Sequence, residues 1–125
     1  MIELTSEDFK KKICDCLDPE EFKFLGDRPV VIDFYADWCG PCKVLTPTLE
    51  ELENRSQNLG IDFFKISIES AADIAELIGI QSVPTMLLIP GKDKQVQMIV
   101  GALPKKPLQE AINKILKEEE EKNVE

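Results

Sequence analysis

The chain has no histidine at all among its 125 residues. That absence removes Ser-His-Asp and Cys-His nucleophile systems and every metal site that needs an imidazole. Long apolar runs are also missing: no stretch approaches the length that spans a bilayer. Basic residues are outnumbered, 15 against 24 acidic ones, for a formal charge of -9. Nucleic acid and anionic membrane surfaces reward basic patches, so neither is expected as a partner. Aromatic side chains are few, with one Trp and one Tyr. The four cysteines are too few for a disulfide-built scaffold. The polar, acidic start from Met1 to Asp8 does not read as a secretory leader, which makes a cytoplasmic location the expectation, or a periplasmic one if a leader has been removed.

What remains is an ordinary globular composition, 43% hydrophobic and 31% charged, long enough for one domain spanning 1–125 with its own core. An acidic tail over about 118–125 reads as a solvated, fraying helix end.

The most telling stretch is Trp38-Cys39-Gly40-Pro41-Cys42. Before it, Val30 to Tyr35 reads as a buried strand; after it, a long amphipathic helix runs to Asn58 with Pro47 inside as a kink. Cys39 therefore falls where the first unpaired amides of a helix favour a thiolate over a thiol. A thiolate is the nucleophile of disulfide exchange, and Cys42, one turn on, can resolve the mixed disulfide. A static bridge or half of a zinc site would use the same spacing, but neither explains the placement at a strand-to-helix junction. Such exchange asks for no cofactor in the chain.

Along the rest of the sequence, Ile2 to Leu4 predicts a short strand, followed by a helix capped by Thr5 or Ser6. Phe9, Ile13, Cys16 and Leu17 share one apolar face of that helix, with Cys14 at its edge. On a helix Cys14 and Cys16 diverge, so a bridge between them is not expected; Cys16 reads as core and Cys14 as an inert, regulatory or dimer-forming thiol. Asp18-Pro19 stops the helix, and 18–28 is an extended polar connection. Strands are predicted over 61–68, 85–89 and 94–100, and helices over 71–78, ended by Gly79, and around 105–116. The order β-α-β-α-β-α-β-β-α implies an α/β fold: a mixed sheet with helices on both faces, right-handed parallel crossovers at the front and an antiparallel hairpin at the end.

Asp33 interrupts an otherwise apolar strand. A buried carboxyl is costly unless its pKa rises or it finds a partner, although alternation alone leaves an exposed strand acid open. Pro84, at the mouth of the 85–89 strand, is tolerated there in any fold.

Taken together, Val31-Ile32-Asp33-Phe34, Trp38 to Lys43, Pro47, Phe64-Lys65-Ile66, Val83-Pro84-Thr85 and Val100-Gly101-Ala102 resemble the thioredoxin family from Thr5 to about Lys117. The resemblance implies a thioredoxin fold of about five strands and four helices. It also implies a thiol–disulfide oxidoreductase that reduces protein disulfides through Cys39 and Cys42 and is recharged by a thioredoxin reductase, as a monomer. Cys39, exposed in part, would be the nucleophile and Cys42 the shielded resolving thiol. Asp33 would take the proton from Cys42 through water, with Lys65 as its charge partner. Pro84 would be a cis proline facing the cysteines, with Val83 pairing an extended substrate. Trp38, Gly40, Pro41, Thr85, Gly101 and Ala102 would complete the docking surface.

In the family, Gly-Pro between the cysteines accompanies reductants, whereas a histidine at position 41 accompanies oxidases and isomerases. A low reduction potential is therefore expected, near the thioredoxin value of about -270 mV. The readings that compete are an oxidase or isomerase of an oxidising compartment, a thioredoxin-fold binding subunit without turnover, and a four-cysteine zinc protein. Three features depart from the family pattern: the length of 18–28, the presence of Cys14 and Cys16, and Ser67 where Asn or Asp is frequent.

Overall fold

The computed structural model describes residues 1–117; the expected acidic tail over 118–125 lies outside the described residues. The elements run β1 (Ile2–Glu3), α1 (Ser6–Lys12), β2 (Val30–Tyr35), α2 (Gly40–Glu53), β3 (Asp62–Ser67), α3 (Ala72–Ile78), β4 (Thr85–Ile89), β5 (Gln97–Val100) and α4 (Lys105–Ile112). They follow the order read from the sequence. A π-type turn, Asn113–Lys117, continues α4. The five strands form one mixed sheet in the order β1-β3-β2-β4-β5. β1 and β2 both run parallel to β3, while β4 is antiparallel to β2 and to β5.

Strand alternation divides the interior into two cores. Val30, Ile32 and Phe34 of β2 face one side, packed with Phe9, Ile13, Phe24, Ile66 and Ile74. Val31 faces the other, with Leu45, Leu49 and Leu52 of α2, Met86 and Leu88 of β4, and Leu108 and Ile112 of α4. Asp33 shares the face of Val31 and is completely buried.

Local chemistry sets the helix ends. Thr5, rather than Ser6, caps α1: its Oγ1 accepts from Asp8 N–H at 3.0 Å, and Asp8 Oδ2 accepts from Thr5 N–H at 3.0 Å. The two bonds form a reciprocal capping box. Gly79 ends α3 in the left-handed region, φ 85°, where its lack of a Cβ removes the steric cost.

Two predicted boundaries are corrected first. α2 closes at Glu53 rather than Asn58, because side chains take over its carbonyl end: Asn54 Nδ2 donates to Glu50 O and the buried Asn58 Nδ2 to Leu52 O. A separate 3-10 turn then covers Ser56–Asn58. β5 begins at Gln97, three residues later than expected.

The largest departure is at α1, which stops at Lys12. Cys14 N–H folds back to Phe9 O, and Leu25 N–H takes the carbonyl of Ile13. Cys14 and Cys16, expected to diverge, are bridged. Their environments are the reverse of the prediction, with Cys14 buried in the core and Cys16 only half-buried. Leu17, assigned to the apolar face, is 97% exposed. The helical period failed here because the chain leaves the helix before that face is completed.

Candidate active site

β2 delivers the chain to the top of the sheet at Tyr35, and a tight loop through Asp37 and Trp38 leads into α2. Cys39 is the N-cap of α2, with Gly40 and Pro41 in its first turn. Pro41 has no amide hydrogen to leave unsatisfied there. Cys39 Sγ accepts from Cys42 N–H at 3.2 Å, so a backbone donor of the helix start points at that sulfur. The two cysteines are joined in a disulfide with Cα atoms 5.3 Å apart. Both are buried, Cys39 at 4% and Cys42 at 2% exposure, against Ala36, Tyr35, Ile68 and Val83. The expected partial exposure of Cys39 is therefore corrected: in the bridged state its sulfur is turned inward toward Cys42.

One turn along α2 from Cys42, Thr46 Oγ1 donates to Asp33 Oδ2 at 2.7 Å. The other carboxyl oxygen, Oδ1, is buried without a hydrogen-bond partner. Burial pushes the Asp33 carboxyl up from 3.8 to about 6; the Thr46 hydrogen bond and the positive charge of Lys65 pull it down, and Glu50 adds to the rise. Lys65 sits opposite Asp33 in the β2–β3 register. No ion pair within 4.0 Å joins them among the described residues, and Lys65 meets Asp33 as a charge partner at longer range. The Lys65 ammonium instead lies 5.8 Å from the centre of the Tyr35 ring and acts on Asp33 through space. Desolvation outweighs that attraction, so the carboxyl titrates well above the ordinary range. A hollow of about 280 Å³ lined by Tyr35, Cys42, Thr46, Pro47 and Glu50 opens beside this arrangement. It is large enough to admit water between Cys42 and the residue that holds Asp33.

On the other side of the cysteines, the Val83–Pro84 peptide bond is cis, as the resemblance implied. Val83 packs on the disulfide, and Gly101 N–H donates to Pro84 O at 2.9 Å. Gly101 adopts φ 94°, a conformation that disfavours any side chain. Trp38 (67% exposed), Gly40 and Pro41 flank the cysteines in the chain and are exposed, and Ala102 is exposed next to Gly101. Thr85 is not: it is buried, and its hydroxyl donates to Ser82 O at 2.7 Å, so its side chain serves the turn and not a surface.

Two site residues escaped the sequence reading. Thr46 lies four positions after Cys42, hence on the same helical face, and that spacing could have found it. Val100 is 65% exposed and pairs with Thr85 in the β4–β5 ladder, which places it at the rim next to Gly101. The four cysteines do not converge: they form two separate bridges, one after α1 and one at the start of α2. Among the described residues no cluster of three metal-ligating side chains occurs.

Comparison with known proteins agrees with this geometry. The profile of the family described as Thioredoxin matches residues 1–114. The chain is 50% identical over 95 residues to a thioredoxin of Borreliella burgdorferi, covering 74% of this chain and 80% of that protein. It is 32% identical over 114 residues to thioredoxin 1 of a Nostoc species, covering 91% and 95%. Among solved structures, a thioredoxin of Malassezia sympodialis superposes with a TM-score of 0.70 at 30% identity, covering 92% of this chain and 90% of that one. A chloroplastic thioredoxin z superposes with a TM-score of 0.75 at 24% identity over 92% and 93%, a likeness of fold.

Proposed function

Because this chain belongs to the thioredoxin family of protein-disulfide reductases, we propose that Cys39 and Cys42 are the dithiol through which it exchanges electrons with protein substrates. The observation that carries this reading is the Cys39–Cys42 bridge at the N-cap of α2, one turn before Thr46, which holds a buried Asp33. In the reduced state the Cys39 thiolate attacks a substrate disulfide, forming a mixed disulfide and releasing one substrate thiol. Cys42 then gives its proton to Asp33, through water in the adjoining hollow, and attacks the Cys39 sulfur. The substrate leaves with both sulfurs reduced, and the chain is left with the Cys39–Cys42 disulfide.

Asp33 suits this part because its carboxyl is held at about 6, so near neutral pH it is ionised and ready to accept a proton. Thr46 is a positioning residue that fixes one carboxyl oxygen, and Lys65 helps to keep the acid ionised. Trp38, Gly40, Pro41, Val83, Pro84, Val100, Gly101 and Ala102 form the substrate surface, where an extended disulfide-bearing segment lies along the Val83 backbone. The chain works as a monomer in the reducing cytoplasm, where a thioredoxin reductase restores the dithiol.

Insulin reduction tests the reading. With dithiothreitol, and again with NADPH and a thioredoxin reductase, the protein is expected to reduce insulin and the Cys39→Ser variant to lose that activity. Full activity in Cys39→Ser would overturn the assignment.

A further inference from the structure

A second sulfur pair follows α1, and the exchange at Cys39–Cys42 makes no use of it. Cys14 and Cys16 are bridged. Cys14 is buried among Phe9, Ile13 and Phe24, while Cys16 is half-buried and accessible. Ile13 and Phe24 border the same hollow as Val30, at the start of β2, whereas Cys39 lies past the far end of that strand. A strand of this length separates the pairs by on the order of 20 Å, so they do not meet within one molecule.

Residues two apart on an α-helix project to opposite sides. The Cys14–Cys16 bridge and a helix continuing through 13–17 therefore exclude each other. Yet the sequence has helical periodicity there, with Phe9, Ile13, Cys16 and Leu17 on one face and Pro19 as the stop. With the bridge closed, α1 ends at Lys12 and Leu17 is 97% exposed. Leu17 stands at the rim of a hollow of about 540 Å³ whose walls include Cys16, Ile74, Leu77 and Ile78. The neighbouring apolar walls are what a helical Leu17 would cover.

We propose that Cys14–Cys16 is a second thiol–disulfide site, reduced by the Cys39/Cys42 dithiol of another copy of this chain, and that its reduction lets α1 run on to Leu17. The proposal rests on the reading of Cys39 and Cys42 as the active dithiol. The donor's Cys39 thiolate attacks Cys16 Sγ, the more accessible sulfur, and Cys14 leaves as a thiolate that takes up a proton. The donor's Cys42 loses its proton and attacks Cys39 Sγ, expelling Cys16 as a thiolate that is protonated in turn. Two electrons and two protons pass: the recipient gains two thiols, and the donor keeps a Cys39–Cys42 disulfide until an external dithiol or a reductase reduces it.

The recipient in the test is the full-length, air-oxidised Cys39→Ser/Cys42→Ser variant, in which only Cys14 and Cys16 can titrate. It is mixed with a catalytic amount of the unmodified chain and limiting dithiothreitol, and thiols are counted by alkylation and mass. The unmodified chain is expected to speed the appearance of two thiols per recipient at least about tenfold over dithiothreitol alone. Amide hydrogen exchange over 14–17 is expected to slow by about tenfold or more on reduction. The same unmodified chain is assayed on insulin. Insulin reduction with no acceleration at Cys14–Cys16 would overturn this proposal and leave the active-site reading standing. Failure on both would overturn the active-site reading and the proposal with it. Accelerated reduction with unchanged exchange over 14–17 would overturn the extension of α1.

Discussion

Thr46 Oγ1 donates to one carboxyl oxygen of Asp33 at 2.7 Å, and the other oxygen of Asp33 is buried without a partner. The arrangement fixes the carboxyl from the α2 side and leaves one oxygen available for a proton. It also makes Asp33 a liability for stability. The folded state holds the acid at about 6 against an ordinary 3.8, so between about pH 4 and pH 6 the folded chain binds more protons than the unfolded one. Stability therefore falls as pH rises through that window, by about 3 kcal/mol in all.

Asp33→Asn is expected to stabilise the protein by about 2–3 kcal/mol near pH 7.5 and to give almost nothing near pH 4. Urea unfolding at the two pH values measures this. An equal gain at both would mean that ionisation is not the cause. The same variant should slow resolution of the mixed disulfide by about a hundredfold or more, the scale of a lost general base, in single-turnover kinetics.

Thr46→Val removes a hydrogen bond that favours the charged carboxylate, so the Asp33 carboxyl should rise further above about 6. The acid limb of the pH profile for mixed-disulfide resolution is then expected to move to higher pH, while the rate well above the new value recovers. A uniform loss of rate with the limb unmoved would assign Thr46 to packing alone.

Much of this site was legible because the rules behind it are local. Thr5 and Ser6 ahead of an apolar period announce a helix start, Gly79 a helix end, and a strand running into Cys39-Gly40-Pro41 a helix start at the first cysteine. Asp33 stood out as a lone carboxyl in an apolar strand. What failed depended on partners distant in sequence or on a covalent bond. The stop at Lys12 goes with the Cys14–Cys16 bridge and with the bond from Leu25 N–H to Ile13 O. The end of α2 is set in part by Asn58, whose amide is itself held by Gln109 of α4. Lys65 stands opposite Asp33 in the register and lowers its carboxyl by its charge, although its ammonium lies over the Tyr35 ring, because register sets the Cα and not where a long side chain ends.

Trp38→Ala tests the docking surface. The indole is 67% exposed, so the substitution should shift folding stability by no more than about 0.5 kcal/mol. It is expected to raise KM for insulin several-fold and to leave the potential of the Cys39–Cys42 couple unchanged. An unaltered KM would remove Trp38 from that surface.

Asn58 is fully buried, donates to Leu52 O and Gln109 Oε1, and accepts from Gln109 Nε2. Asn58→Ala removes the donor to Gln109 Oε1 of α4, whereas Leu52 O keeps the N–H groups of Asn54 and Arg55, and it should cost about 1–3 kcal/mol, read as a lower urea midpoint with an unchanged slope.

As proposed, Cys39 and Cys42 form a reducing couple, with Gly40-Pro41 between them and no histidine to stabilise the thiolate. The most direct measurement is the equilibrium reduction potential of that couple, followed by alkylation of Cys39 and Cys42 in a series of dithiothreitol buffers. A potential of about -270 mV, the value of thioredoxins, is expected. A potential near about -120 mV, that of a strong oxidant, would contradict it.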